Sequence, residues 1–264
     1  MQPDMQPDMQ EVVMDAELAR QAIALLDLTD LTDDCTPAAI DSLCERATRY
    51  GTAAVCVWPD FVAQSSAALG GSDVRVATVV NFPSGDERPF AVGLVTERAL
   101  ADGAHEIDVV LPYQAFAGGH RERPSQMLAR VRRITAGNAL MKVILETGEL
   151  QDLELVEHAA RFAIEHGADF IKTSTGKSPV SATLPAAERM LEVIAASGRP
   201  IGLKPAGGIG TADVAADYIA LAERIMGAGW VRPATFRFGA SGLLNALLMS
   251  AGESSPTGAQ SGTY

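Results

Sequence analysis

The sequence predicts a single-domain α/β fold, the (β/α)8 TIM barrel, and three observations carry that prediction. Short apolar runs alternate with amphipathic helical patterns eight times over about 230 residues, the order of a parallel barrel. The first run leaves into DLTDLTDDCT, which holds no glycine, whereas a doubly wound open sheet usually places a glycine-rich turn there. Charged residues also interrupt several runs on one parity, as expected where strands turn alternate side chains toward a closed interior.

In chain order, the first strand is expected at 23–29 (IALLDLT), an aliphatic run ending on polar residues. A helix follows: Thr36 and Pro37 supply an N-cap and a first turn, and Gly51 stands past its end. The runs 53–58 (AAVCVW), 74–80 (VRVATVV), 105–111 (HEIDVVL) and 140–146 (LMKVILE) are rich in β-branched residues and read as strands two to five. The segment 151–166 places Leu153, Val156, Ala160 and Ile164 on one helical stripe, with Gly167 as its stop. The sixth strand is expected at 169–174 (DFIKTS), then a helix opened by Pro185 and ended near Gly198. The last two strands are expected at 200–205 (PIGLKP) and 234–239 (ATFRFG). Residues 1–16 open on the polar repeat MQPDMQPDMQ and are expected to be a disordered extension. Residues 17–250 are expected to form the barrel, and 251–264 a flexible tail ending on Tyr264.

Lys172 and Lys204 stand inside apolar runs, where an ammonium is costly unless it is paired or loses its proton. In 105–111, Ile107, Val109 and Leu111 share one parity and Glu106 and Asp108 the other; in 201–205, Leu203 opposes Gly202 and Lys204. The economical assignment turns the aliphatics toward the helices and the charges into the barrel, with Gly202 leaving room for a long side chain. The same alternation turns Asp27, Cys56 and Lys172 inward, near the strand ends where barrel active sites are built, and gives Lys142 the inward parity too. A structural ion-pair network would explain one buried pair. Two lysines converging with an aspartate favour chemistry: neighbouring ammonium groups disfavour each other's charge, so one amine becomes a nucleophile for carbonyls. Cys56 reads as a small buried hydrophobe facing the same space.

Three turns at adjacent strand ends, STGKS (174–178), PAGGIGTAD (205–213) and FGASGLLN (238–245), offer N–H groups and Lys177 to a phosphate. TGKS is not a P-loop, because Ile171 stands where the motif needs glycine. The net charge of −12 argues against nucleic-acid and anionic-membrane partners and requires a locally positive pocket for any anionic substrate. Three cysteines with no close pair argue against a disulfide framework, and the sequence shows no secretory h-region or spanning apolar stretch, so a cytoplasmic protein is expected. The four histidines lack metal-ligand spacing and there is no G-x-S-x-G elbow; neither a metal nor an organic cofactor is expected.

The blocks LDLTDLTDD, CVWP, EIDVVLPY, KVILETGEL, GADFIKTSTGK, LKPAGGI and RFGASGLLN resemble the deoxyribose-phosphate aldolases and cover nearly every strand. The resemblance implies a metal-free class I aldolase that interconverts 2-deoxy-D-ribose 5-phosphate with acetaldehyde and D-glyceraldehyde 3-phosphate. It gives Lys172 the Schiff base, Lys204 the role of perturbing it, and Asp108 proton transfer with Lys204; Tyr264, on the tail, reaches the site. Asp27, Thr29, Cys56, Thr173, Gly176, Lys177, Gly207, Gly208, Gly239 and Ser241 become the expected substrate-binding residues, and a homodimer a candidate assembly. The chain departs from the family where Gly210 replaces the basic residue of GGVR and Gly242 the serine of FGASS, each removing a donor near the phosphate. Another Schiff-base aldolase with a different donor, or a non-catalytic sugar-phosphate-binding barrel, are the rival readings.

Overall fold

Eight short parallel strands form the core of the computed structural model, which describes residues 14–150 and 152–253. They are β1 (Leu26–Asp30), β2 (Ala54–Val57), β3 (Arg75–Val80), β4 (Glu106–Val110), β5 (Leu140–Ile144), β6 (Phe170–Lys172), β7 (Gly202–Lys204) and β8 (Phe238–Ala240). Each pairs with its sequence neighbour, and β8 pairs with β1. Closure between β7 and β8 is made by the N–H of Leu203 donating to Thr235 O (2.9 Å), Arg237 N–H to Leu203 O (3.0 Å) and Gly239 N–H to Pro205 O (2.9 Å). The expected TIM barrel is therefore formed.

The helices are α1 (Ala16–Ala24), α2 (Pro37–Tyr50), α3 (Val62–Ala68), α4 (Pro89–Ala101), α5 (Tyr113–Ala117) and α6 (Glu122–Thr135). They continue with α7 (Thr147–Leu150), α8 (Leu153–Glu165), α9 (Leu184–Ser197), α10 (Ala212–Met226) and α11 (Leu243–Ser250). The ends of two helices fall as read: Thr36 Oγ1 accepts from Ala39 N–H and Gly51 ends α2 at φ +67°, while Pro185 stands in the first turn of α9 and Gly198 ends it at φ +63°. The cap of α9 itself, not read from the sequence, is Thr183. In α8 the stripe holds for Val156, Ala160 and Ile164, but Leu153 in the first turn is exposed.

Most observed strands are one or two residues shorter at an end than expected, and two boundaries differ by more. Ile23 and Ala24 finish α1, because Asp15 caps that helix and Ala19, Ala22 and Ile23 form its buried face; the strand starts only at Leu26. Met14 and Asp15, expected in the extension, belong to this packing, Met14 as a buried core residue. At the other end, 234–235 is a turn, with the Thr235 and Phe236 N–H groups on Arg232 O (2.9 and 2.8 Å); Phe236 makes an isolated parallel bridge to Leu203, and the strand itself starts only at Phe238.

The parity reading holds throughout. Leu28, Val55, Val57, Ile107, Val109, Leu111, Ile171 and Leu203 face the helices in the main core. Inside the barrel, Leu31, Ala54, Cys56, Ala77 and Val79 make a small apolar cluster, and the charged residues fill the rest. Gly202 does make room for a long side chain, but that side chain is Phe170: the two stand in register, and a Cβ at Gly202 would overlap the ring. Lys204 is accommodated instead by Gly239, where a Cβ would come within 3.0 Å of Lys204 Cε. Among the described residues no helix is long and apolar enough to cross a membrane.

Candidate active site

Register brings the inward residues together. Lys172 on β6 stands opposite Lys204 on β7, and Asp108 on β4 opposite Lys142 on β5. All four side chains are buried and meet at one carboxylate: Asp108 Oδ2 accepts from Lys204 Nζ (2.7 Å) and Lys172 Nζ (3.0 Å), and Oδ1 from Lys142 Nζ (2.9 Å). Asp27 on β1 pairs through Oδ2 with Lys204 (2.5 Å) and Lys142 (3.3 Å). Arg237 closes the base of this cluster, reaching Asp27 Oδ1 (2.6 Å) and Glu106 Oε1 (3.1 Å), and Glu106 also pairs with Lys142.

The electrostatics separate the two lysines that strand parity leaves alike. Burial and then the charge of Lys204 push the Lys172 amine below its ordinary value, outweighing its one carboxylate partner. Burial acts on Lys204 as well, but Asp108 and Asp27 together raise it above the ordinary lysine value. Lys142, with three carboxylates around it, is held well above it despite burial. Burial alone would raise the Asp108 carboxyl, yet Lys142, Lys204 and Lys172 hold it well below the carboxylate range; Asp27 is lowered likewise by Lys142, Lys204 and Arg237 against its burial. The site thus holds a carboxylate–ammonium pair, Asp108–Lys204, beside an amine that binds its proton less tightly than an ordinary lysine.

The remaining predicted residues fall into two groups. Thr29 is buried and donates to Asp27 O (2.8 Å), and Cys56 is fully buried in the inner apolar cluster, its thiol pushed up by that burial. Thr173 bridges two strand ends, its Oγ1 accepting from Ala206 N–H (3.0 Å) and donating to Ala206 O (3.3 Å). The phosphate-side loops do converge: Gly207 N–H donates to Gly239 O (3.4 Å), and a Cβ on Gly207 would stand 3.0 Å from Gly176 Cα. This convergence uses donors counted for an anion, since Gly207 N–H goes to Gly239 and Lys177 N–H to Thr175 Oγ1 (3.0 Å). Lys177 Nζ stands 3.5 Å from Asp33 of the β1–α2 loop. Gly208 is exposed at φ +77°, and Ser241 lies just before α11. Tyr264 lies outside the described residues.

Two residues of the site were missed. Arg237 shares parity with Gly239 between Phe236 and Phe238, so the alternation that revealed Lys204 would have found it too. Glu146, just past β5, had no such signal. It adopts φ +57°, an uncommon conformation for a non-glycine residue, and its carboxylate accepts from Thr175 N–H (3.2 Å) across the barrel mouth. Among the described residues no group of three or more His, Cys, Asp or Glu gathers as a metal site.

A closed parallel barrel that holds, at its carboxyl end, one lysine lowered below the ordinary value beside another raised above it is an arrangement suited to carbonyl chemistry on an amine. A family profile described as DeoC/LacD family aldolase matches residues 14–248, and the chain belongs to this family. It is 53% identical over 249 residues to a deoxyribose-phosphate aldolase of Agrobacterium fabrum (strain C58), covering 93% of this chain and 96% of that protein. Among solved structures, a protein of Toxoplasma gondii ME49 assigned as a deoxyribose-phosphate aldolase superposes with a TM-score of 0.81 at 25% identity, covering 92% of this chain and 97% of that one. One from Coccidioides immitis with the same assignment gives 0.78 at 28% identity, covering 86% and 85%.

Proposed function

We propose that this chain cleaves 2-deoxy-D-ribose 5-phosphate reversibly into acetaldehyde and D-glyceraldehyde 3-phosphate, with Lys172 as the amine that carries the substrate. The observation that supports it most directly is the asymmetry of the lysine pair on Asp108: Lys204 has two carboxylate partners and Lys172 one.

In cleavage, neutral Lys172 Nζ attacks C1 of the open-chain aldehyde, and loss of water leaves an iminium. The C3 hydroxyl gives up its proton, the C2–C3 bond breaks, and its electron pair flows into the iminium. Glyceraldehyde 3-phosphate departs; the resulting enamine takes a proton at C2 and is hydrolysed to acetaldehyde and free lysine. The ammonium of Lys204 donates protons and the carboxylate of Asp108 accepts them, 2.7 Å apart; positioned acid–base groups of this kind contribute about 10²–10⁴-fold each. Asp27, Lys142 and Glu106 hold the charges of that pair, and Tyr264 keeps the place as a catalytic tail residue reaching the site that the resemblance gives it. A cytoplasmic location accords with the acidic sequence and its three unpaired cysteines, and a homodimer is the assembly that goes with this reading.

Borohydride with acetaldehyde is expected to add one ethyl group to the intact protein, mapped to Lys172. An unchanged mass would reject covalent catalysis, and a label on Lys204 would reverse the two roles. An aldolase with another donor would be trapped by that donor and not by acetaldehyde. Because the iminium serves as the electron sink, activity is also expected to survive exhaustive chelation; loss under EDTA that zinc restores would overturn the lysine mechanism.

The phosphate turns supply a further expected result. Gly210 and Gly242 have ordinary backbone angles and nothing within 4 Å of a built Cβ, so both positions admit a side chain, unlike Gly207 at φ +78°. Gly210→Arg is expected to lower KM for the phosphorylated sugar several-fold, since a hydrogen bond to a charged group is worth about 1.5–3 kcal/mol, and to leave turnover of free deoxyribose nearly unchanged. Equal kcat/KM for both sugars in the natural protein would mean that these turns hold no phosphate.

A further inference from the structure

Arg237 lies at the opposite end of the charge cluster from the reactive amine, and the residues around it show what it does there. Its guanidinium is buried between Asp27 and Glu106, its Nε donates to Pro233 O, and the Phe170 ring lies 5.9 Å away. On its other side a cavity of about 640 Å³ opens at the amino end of the barrel, lined by Arg75, His105, Arg132 and Asp169 together with Glu106 and Arg237 themselves. Within the barrel, three carboxylates (Asp27, Glu106, Asp108) face three cations with at least two ion-pair contacts apiece (Lys142, Lys204, Arg237). Lys172 is the fourth cation, and its single ion pair is to an oxygen that Lys204 approaches more closely. Cys56 on β2 and Glu146 past β5 also face Lys172, the first a thiol raised by burial and the second a carboxylate engaged with Thr175.

We propose that Arg237 is a positioning residue for the aldol reaction: by satisfying Asp27 and Glu106 from the amino end, it completes the charge balance without Lys172 and so leaves that amine free as the nucleophile. Without Arg237, three carboxylates would face two cations, and the third positive charge would be drawn to Lys172. The influence passes through Asp27 to Lys204, and through Glu106 to Lys142, both of which share Asp108 with Lys172. The arginine touches neither substrate nor the reacting nitrogen. This inference rests on the Schiff-base reading above and concerns how that amine is kept neutral.

The pH dependence of kcat/KM tests it. Arg237→Met is expected to move the acidic limb to higher pH by about one unit. The double variant Arg237→Met/Glu106→Gln, with two carboxylates against two cations, is expected to bring the limb back. Arg237→Lys, which keeps the charge, is expected to hold the wild-type limb even where kcat falls. An unmoved limb in Arg237→Met, or a double variant no closer to wild type than the single one, overturns the proposal. If Arg237→Met does not fold, Glu106→Gln alone leaves positive charge in excess and is expected to shift the limb to lower pH; an unmoved or raised limb there overturns it equally. Borohydride trapping of the wild type separates the two levels: no adduct rejects the proposed reaction, whereas an adduct at Lys172 with unresponsive limbs rejects only the role of Arg237.

Discussion

Lys172→Leu is expected to abolish trapping by acetaldehyde and to lower kcat by about 10⁴–10⁶-fold, the scale of loss when a covalent nucleophile is removed. The fold should survive, because Asp108 keeps Lys204 and Lys142 as partners and no buried carboxylate is left unpaired. Stability should rise at neutral pH. A buried amine lowered below its unfolded value binds fewer protons in the native state than in the unfolded chain, so it costs stability at every pH below the ordinary lysine value. Leucine has no proton to lose, and the cost disappears. Residual aldol turnover within tenfold of wild type, or retained labelling of the variant, would show that another amine carries the substrate. Thermal unfolding at pH 7 and near pH 10 checks the second half: the gain over wild type should shrink as pH rises toward the unfolded lysine value.

Lys204→Leu is expected to act differently, on rate and on pH together. It removes the nearest cation of Lys172 and leaves Asp108 Oδ2 to that amine alone. The carboxylate then favours the ammonium form of Lys172, so the amine stays protonated to higher pH and the acidic limb of kcat/KM moves upward. Loss of the proton donor adds a fall of about 10²–10⁴-fold in kcat. Breaking a buried pair costs about 3–5 kcal/mol where the remaining charge is uncompensated; here Lys172 takes over part of the compensation at Asp108, while Asp27 retains Lys142 and Arg237. The loss of stability should therefore fall below that range. A wild-type rate and pH profile would show that the two amines are not coupled, and the assignment of roles would fail with it.

Much of this molecule can be read without its structure because two of its constraints are local. Strand–helix alternation and helix-end residues such as Thr36, Gly51, Pro185 and Gly198 depend on neighbours in the chain. Strand parity depends only on the two-residue period, so Glu106, Asp108, Lys142, Lys172 and Lys204 could be turned inward by inspection. Boundaries were less legible at Ile23 and Ala24, where an aliphatic run serves a capped helix as well as a strand.

What the tertiary structure alone decides is which inward residues meet, and at what distance. Register sets Lys172 beside Lys204, and curvature brings Asp27, Asp108 and Arg237 to them from strands far away in the chain. Which lysine holds its proton less tightly follows from that geometry: Asp27 lies 2.5 Å from Lys204 and makes no ion pair with Lys172, and Coulomb energies change steeply over such distances in a buried site. The space beside Gly202 is likewise filled by Phe170, which no pattern in the chain assigns to it. The sequence by itself determined the barrel and the parity of its charges, because both are periodic properties of the chain; the order in which those charges hold their protons is a property of distances between strands, and only the closed barrel sets them.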